Sequence, residues 1–146
     1  MRNDYAVLGV CFGGHDTSAA LVKNNEIIAA CEQERFDLIK HSRSFPHEAI
    51  NECLKIASIK LSDVDEISIG IDLIDLIRKS YLKPAMKDNK RIEFLINDID
   101  RIKEYYYLED TIRDKINFKG KINFYRHHLC HLASTYFPSG FNESLI

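Results

Sequence analysis

Short apolar runs separated by polar loops open the chain and predict β-strands. The first run covers residues 6–12 and ends at two glycines, and two further runs cover residues 18–23 and 26–32. Two consecutive asparagines separate the second run from the third, and such a pair suits a two-residue turn with positive φ at both positions. The pattern therefore predicts a three-stranded antiparallel meander at the start of the chain.

The rest of the chain combines helical and strand patterns. It predicts a helix over residues 46–57, a strand over 66–71, charged amphipathic helices over 73–86 and 90–116, a strand over 122–125, and a last helix from His127 that ends within 136–141. Pro84 should break the first of the two charged helices. We expect the helix over 46–57 to pack on one face of the meander, which gives an α/β fold with a mixed sheet flanked by helices.

Three of the six histidines fall within five positions, in the sequence HHLCH that starts at His127. In a helix, His127 and His131 lie one turn apart on the same face, where two imidazoles can bind one metal ion. A solvated helix with one half-buried histidine explains the same pattern, and for an isolated HxxxH it is the commoner explanation. The glutamate of HExxH is absent, which excludes a zinc-protease motif.

A polar loop after the first strand carries a second set of chemically capable residues. Its two glycines allow backbone N–H groups to approach a ligand closely, and its hydroxyl groups add donors, a combination that suits phosphate. Asp16 is placed to orient the titratable ring of His15. An ordinary loop in which polar side chains cap backbone groups explains the pattern equally well. The candidate phosphate-binding residues are Gly13, Gly14, Asp16, Thr17 and Ser18.

Residues 33–43 form a polar segment that is dense in both charges. A solvated connector is the usual explanation for such a segment. Because it follows the meander that contains the phosphate-type loop, Arg35 and Lys40 would equally suit an anionic ligand.

Composition narrows the function classes. The 146 residues are 45% hydrophobic and carry a net charge of -2, so nothing indicates a nucleic-acid partner. The four cysteines form no CxxC pair, which favours free thiols in a reducing compartment. The sequence shows neither a signal-peptide core nor an apolar stretch of membrane-spanning length. We therefore expect a cytoplasmic protein without a membrane partner.

Several ordered motifs together resemble the carbamoyltransferase family, which includes nodulation-factor and antibiotic O-carbamoyltransferases. The motifs lie at residues 9–21, 32–36, 40–41, 44–46, 127–134 and 139–141. Residues 72–118 carry none of them and are interpreted as a helical insertion. The resemblance implies that residues 1–146 are the amino-terminal portion of an actin-like ATPase (ribonuclease H-like) domain, similar to the universal tRNA threonylcarbamoyl-transfer protein.

The resemblance also implies a reaction. Members of this family transfer a carbamoyl group from carbamoyl adenylate to a substrate hydroxyl, and a separate carboxy-terminal domain makes the adenylate from carbamoyl phosphate and ATP. By this resemblance, His127 and His131 are ligands of a divalent metal, expected to be iron, and His15 is the catalytic base for the acceptor hydroxyl. A further aspartate ligand and the adenylate-forming domain are expected beyond Ile146, so we expect the 146 residues alone to be inactive.

Two alternatives stay open. The chain could equally serve as a non-catalytic module that binds a nucleotide or a metal, or it could belong to a relative of the tRNA threonylcarbamoyl-transfer protein.

We also expect self-association through the edge and the apolar helix faces that a truncated sheet exposes.

Overall fold

A computed structural model describes residues 4–12 and 16–143 of the chain. These residues form a mixed five-stranded sheet flanked by helices. The strands are β1 (Ala6–Cys11), β2 (Ser18–Lys23), β3 (Glu26–Glu32), β4 (Glu66–Ile69) and β5 (Lys121–Phe124). The α-helices are α1 (Glu34–Asp37), α2 (His47–Ile56), α3 (Leu73–Ile77), α4 (Lys83–Lys87), α5 (Lys90–Asn97), α6 (Ile99–Tyr106), α7 (Leu108–Ile116) and α8 (His127–Ser139).

The sheet has the strand order β3-β2-β1-β4-β5. Strands β1, β2 and β3 pair antiparallel, which confirms the predicted meander. Its second turn is also confirmed, since Asn24 and Asn25 have φ values of 54° and 66°. Strands β4 and β5 add on the other side of β1, and both run parallel to it. The carboxyl ends of β1, β4 and β5 therefore meet at one edge of the sheet.

One face of the sheet carries the hydrophobic core. Leu8, Leu21 and Ile67 are fully buried there, because alternate residues of each strand point to the same side. Helix α2 packs against β2 and β3, as predicted for residues 46–57. The apolar residues Leu108 and Ile112 of α7 belong to the same core. The opposite face carries small and polar residues in register, Gly9 beside Ala20 and Ser68.

The single helix predicted over residues 90–116 is wrong. Three consecutive helices occupy that stretch, and they meet at Asp98 and Tyr107, where the backbone leaves the helical region with ψ near 12–15°. No glycine or proline marks either break in the sequence. Helices α5 and α6 contain no buried residue, so most of the apolar stripe that predicted them lies at the surface.

The break predicted at Pro84 is also wrong. The helical path continues from α3 through Pro84 to the end of α4, because the intervening residues Arg78–Leu82 form a turn of π-helix, the π-turn. A proline lacks the N–H of an α-helical bond and clashes with the preceding turn, and the wider π-turn changes the register before the proline is reached.

Within the described residues, none of the helices has the length and apolar character needed to cross a bilayer.

Candidate functional site

The parallel strands bring the two polar stretches of the sequence to one edge of the sheet. Strand β1 leads into the loop that contains Asp16, and β5 leads directly into α8 and its histidines. Between them, β4 ends at Gly70. Ligands of α/β proteins usually bind at this kind of edge, where parallel strands end. Gly13, Gly14 and His15 lie outside the described residues, so the catalytic role expected for His15 stays a prediction.

His127 and His131 face each other on the first two turns of α8. Their Nε2 atoms are 2.9 Å apart, and the Nδ1 atom of His127 lies 3.0 Å from the carbonyl oxygen of Gly70. A carbonyl oxygen can only accept, so Nδ1 of His127 carries the hydrogen and donates it. In the neutral ring, the lone pair of His127 is then on Nε2 and points to the space between the two rings. Histidines that bind metals are usually oriented by such a bond from their other nitrogen.

The two imidazoles fit one half of a metal site. Two nitrogens that bind one ion at right angles, each about 2.1 Å away, are about 3.0 Å apart, close to the spacing observed here. Both rings are exposed at the surface, which leaves room for an ion and for further ligands. Across residues 4–12 and 16–143, however, no three side chains of histidine, cysteine, aspartate or glutamate are grouped closely enough to hold a metal. The described part of the chain therefore offers no more than these two imidazoles to a metal ion.

Backbone contacts fix the position of α8 against the sheet. The N–H group of Tyr125 donates to the carbonyl of Ile69 at 2.8 Å, which continues the β4–β5 pairing up to the residue before the helix cap. The Sγ atom of Cys130 would lie 3.5 Å from a Cβ atom at Gly70, so the helix passes close to the end of β4. These contacts explain why the ring of His127 reaches a main-chain carbonyl of the neighbouring strand.

The loop after β1 is tied to the charged segment that follows β3. Oδ1 of Asp16 lies 2.7 Å from Nδ1 of His41, and the backbone N–H of His41 donates to Glu34 at 3.0 Å. The bond with Asp16, and then its negative charge, raise the pKa of His41 above its usual value. Nothing in the local sequence pattern indicated the pairing of His41 with Asp16, which lies 25 residues away.

The hydroxyl residues of this loop differ in their exposure. Thr17 is buried, and both its N–H and its hydroxyl group donate to the carbonyl of Ser42, at 3.2 and 3.4 Å. Its own carbonyl accepts from the N–H of Gln33. Ser18 begins β2 opposite Cys11 and is half-buried. Thr17 thus contributes to the joint between the loop and residues 33–42, while Ser18 lies nearer to the edge of the sheet.

The two candidate cations are arranged differently. The guanidinium group of Arg35 lies 3.2 Å from a carboxylate oxygen of Glu32 and 3.7 Å from one of Glu34. Lys40 is exposed, two residues after Leu38, whose backbone has a left-handed conformation. Residues 33–43 are therefore more ordered than a solvated connector, since they include α1 and the buried side chains of Gln33 and Ser42.

The sequence did not predict a cleft that lies beside the histidine pair. Its volume is about 370 Å³, and it separates the first turn of α8 from α3 and the π-turn. The lining residues are Ile71, Asp72, Asp75, Leu76, Lys79, Ser80, Arg126, His127 and His128. One side of His127 therefore faces the cleft, while its Nε2 atom faces His131.

Comparison with known proteins identifies the family. A family model described as "Carbamoyltransferase N-terminus" matches residues 6–146. The chain is 32% identical to the uncharacterized protein sll1178 of Synechocystis sp., over 96% of this chain and 24% of that protein. It is 30% identical to the nodulation protein NolNO of Sinorhizobium fredii, over 90% of this chain and 19% of that protein. The chain thus spans about a quarter or less of the length of these relatives. The chain, with its histidine pair at the edge of the mixed sheet, therefore belongs to the carbamoyltransferase family and matches the amino-terminal part of that family.

Proposed function

We propose that this chain is part of an O-carbamoyltransferase. In this proposal the protein transfers a carbamoyl group from carbamoyl adenylate, made from carbamoyl phosphate and ATP, to the hydroxyl of a small molecule. The observation that carries the proposal is the pair of Nε2 atoms of His127 and His131, 2.9 Å apart at the carboxyl ends of parallel strands. Membership of the carbamoyltransferase family supports the same assignment.

The proposal assigns different tasks to three groups of residues. His127 and His131 hold the metal, a divalent ion expected to be iron, and Gly70 orients the ring of His127. When bound, the metal supplies positive charge that stabilises the phosphate oxygens of the adenylate. The loop over residues 13–18 is assigned to the phosphate, with the exposed cation Lys40 beside it, although the N–H of Thr17 already donates to the carbonyl of Ser42 and is not one of the phosphate donors. The carboxylate of Asp16 binds the ring of His41, and this contact holds the loop against residues 33–43.

The transfer step needs one base. The acceptor oxygen attacks the carbamoyl carbon, its proton passes to a base, and the bond between that carbon and the adenylate phosphate breaks, so that AMP leaves with the bonding electrons. His15, in the loop after β1, takes the proton in this proposal. A histidine suits this task because its usual pKa lies near neutrality.

The remaining parts of the active site lie outside these residues in the proposal. The third metal ligand and the part that forms the adenylate belong to a longer protein, which agrees with the chain covering 24% and 19% of two relatives. We further propose that the fold is the amino-terminal half of an actin-like (ribonuclease H-like) domain. A five-stranded sheet in which only β2 runs against the other strands supports that assignment.

The proposal is tested with His131→Ala in the full-length natural protein. The variant should lose carbamoyl transfer to the acceptor, measured as carbamoylated product, because one of the two ring nitrogens is missing. Formation of carbamoyl adenylate, measured as pyrophosphate released from ATP in the presence of carbamoyl phosphate, should stay near the wild-type rate. A loss of transfer with unchanged pyrophosphate release would show that His131 serves the transfer step and not the formation of the adenylate.

The matched control is Leu129→Ala, which removes an exposed side chain from the same helix. It should keep both activities. Full transfer by the His131→Ala variant would refute the metal site. A wild-type protein that releases no pyrophosphate in the presence of carbamoyl phosphate would refute the reaction itself and favour a non-catalytic module.

A further inference from the structure

Positive charge is concentrated in one short stretch of the chain. Residues 78–91 contain six of the 20 lysines and arginines but only one of the 22 acidic residues, in a chain whose net charge is -2. The stretch covers the π-turn, α4 and the start of α5, and α5 packs back against the first two. The proposed transfer mechanism gives it no task. Since a run of like charges usually forms a solvated surface, its meaning depends on the side chains that lie beside the cations.

Two of the six cations are already paired. Arg78 and Lys79 both bind the carboxylate of Asp75, at 2.7 and 2.5 Å. The other four are exposed and form no salt bridge within the part of the chain that the structure describes: Lys83, Lys87, Lys90 and Arg91. Their charge is therefore directed to the solvent around the molecule.

Helical spacing places apolar side chains beside these cations. Lys83 and Lys87 are four residues apart and lie on one face of α4. Leu82 and Met86 have the same spacing one residue earlier, so they form a second stripe next to the lysines. These two side chains are 46% and 87% exposed. The free energy that burial of a large apolar side chain contributes is therefore mostly unused at both positions.

This combination fits an anionic lipid surface better than a soluble partner. In an interfacial helix, apolar side chains enter the boundary between headgroups and acyl chains, while lysines extend along their aliphatic stems to the headgroups. A soluble polyanion would bind the cations but would leave Leu82 and Met86 in water. A protein partner that covered the apolar stripe would also bury the neighbouring lysines, and lysine is depleted at protein interfaces.

We propose that the α4 patch, formed by Leu82, Lys83, Met86 and Lys87 with Lys90 beside them, binds the surface of a bilayer that contains anionic phospholipids. Such peripheral binding needs neither a signal peptide nor a membrane-spanning helix, and the expectation of no membrane partner rested on those two absences. A patch with few cations and two apolar side chains binds reversibly, and its binding depends on the lipid composition. The patch thus concentrates the protein at an anionic membrane surface.

The test measures co-sedimentation of the full-length natural protein with vesicles of two compositions, phosphatidylcholine alone and phosphatidylcholine mixed with phosphatidylserine. Wild type should bind the mixed vesicles, and added salt should weaken that binding. Lys83→Gln/Lys87→Gln should weaken it about thirtyfold, because each cation near an anionic surface contributes about 1 kcal/mol. The matched control is Lys115→Gln/Lys119→Gln, which removes the same charge from exposed lysines outside the patch and should bind like wild type.

A second substitution tests the apolar stripe. Met86→Gln keeps the charge and should weaken binding to the mixed vesicles about tenfold, the lower end of what burial of a methionine contributes. Leu38→Gln is its control, since Leu38 is also 87% exposed, and it should have no effect. Unchanged circular dichroism of each variant shows that it folds.

No binding to the mixed vesicles, equal binding to both compositions, or an equal loss in the two lysine double variants would overturn the proposal. Wild-type binding by Met86→Gln, together with a loss in Lys83→Gln/Lys87→Gln, would also overturn it and would assign the cations to a soluble anion.

Discussion

Nδ1 of His41 lies 2.7 Å from Oδ1 of Asp16, and this contact joins the loop after β1 to the charged segment before α2. The backbone bonds between Thr17 and Ser42 run beside it. The pair therefore belongs to a set of contacts that holds Asp16 and Thr17 against residues 41–42.

The Asp16→Asn substitution should lower the pKa of His41 toward that of a free histidine, about 6.5. The carboxylate raises the pKa of His41 through its hydrogen bond and its charge, and the amide keeps only a weaker bond. The midpoint is measured by NMR titration of the ring resonances. Asp100→Asn, an exposed carboxylate of α6, is the control and should leave the midpoint of His41 unchanged.

The same contact has a defined effect on stability. Because folding raises the pKa of His41, the contact stabilises the folded chain below about pH 6.5, the pKa of an unfolded histidine, and this contribution is lost as the pH rises through the folded pKa. Asp16→Asn should therefore destabilise the chain more at pH 5.5 than at pH 8.5, in urea unfolding experiments. An equal effect at both values would contradict the ionic contact.

Substituting Glu66 by glutamine should destabilise the chain. Glu66 is buried, and its carboxylate accepts hydrogen bonds from the hydroxyl groups of Tyr125, Ser68 and Tyr5, at 2.9, 2.9 and 3.3 Å. Hydrogen bonds to a charged group contribute about 1.5–3 kcal/mol each, and an amide keeps part of them, so we expect a loss of about 2 kcal/mol at pH 7. Urea unfolding measures it, with the exposed Glu93→Gln as the control.

The effect of Glu66 should depend on pH. Burial raises the pKa of Glu66, but the hydrogen bonds from Asn123, Ser68, Tyr125 and Tyr5 outweigh it, and the net pKa is lowered. The contribution is therefore present above the pKa of an unfolded glutamate, about 4.3, and it is lost as the pH falls through the folded pKa. The difference between wild type and Glu66→Gln should shrink at pH 3, and a difference that grows there would contradict the network.

The isolated 146-residue chain should bind metal weakly and should not transfer carbamoyl groups. Two imidazoles provide fewer ligands than the three that catalytic metal sites usually have. Calorimetric titration with zinc should show weak binding that His127→Ala abolishes and Leu129→Ala preserves. Tight binding by the wild-type chain, or measurable transfer without the rest of the protein, would contradict the proposal that part of the active site lies outside these residues.

The isolated chain should also self-associate at high concentration. Phe94 and Ile96 of α5 are 62% and 59% exposed, and neighbouring helices add further exposed apolar side chains. Exposed apolar side chains of this number are candidates for contact with a second copy of the chain, since large apolar patches usually mark interfaces. Sedimentation velocity should show a dimer or larger species whose fraction falls in the Phe94→Glu/Ile96→Glu variant. Leu38→Glu, at a residue outside the helices that is 87% exposed, should leave the distribution unchanged. A monomer at all concentrations would refute this prediction.

Local sequence patterns predicted the meander and the histidine pair, because both depend on short-range geometry. Alternation and the asparagine turn determine β1 to β3, and a spacing of four residues brings His127 and His131 together in any helix. The partners of these residues could not be predicted in the same way. Gly70 is 57 residues from His127, and the register of β4 and β5 alone brings its carbonyl to the ring.

The helices over residues 73–116 show a second reason for failure. The isoleucines of α5 and α6 follow one helical stripe across Asp98, so the pattern predicts a continuous helix. The helices nevertheless break at Asp98 and Tyr107, which are neither glycine nor proline, so the periodicity within the segment gives no sign of either break. In the same way, the π-turn before Pro84 changes the helix upstream of the residue that the pattern identifies as a breaker.

The orientation of His127 depends on a main-chain atom, the carbonyl oxygen of Gly70. A point mutation at position 70 changes the side chain but leaves that acceptor in place, and a Cβ atom there would meet Cys130 at an ordinary contact distance of 3.5 Å. Sequence drift at this position can therefore proceed without disturbing the tautomer of the histidine. The orientation of His127 depends on the path of the backbone at the end of β4. Related chains can therefore keep it with a different residue at position 70.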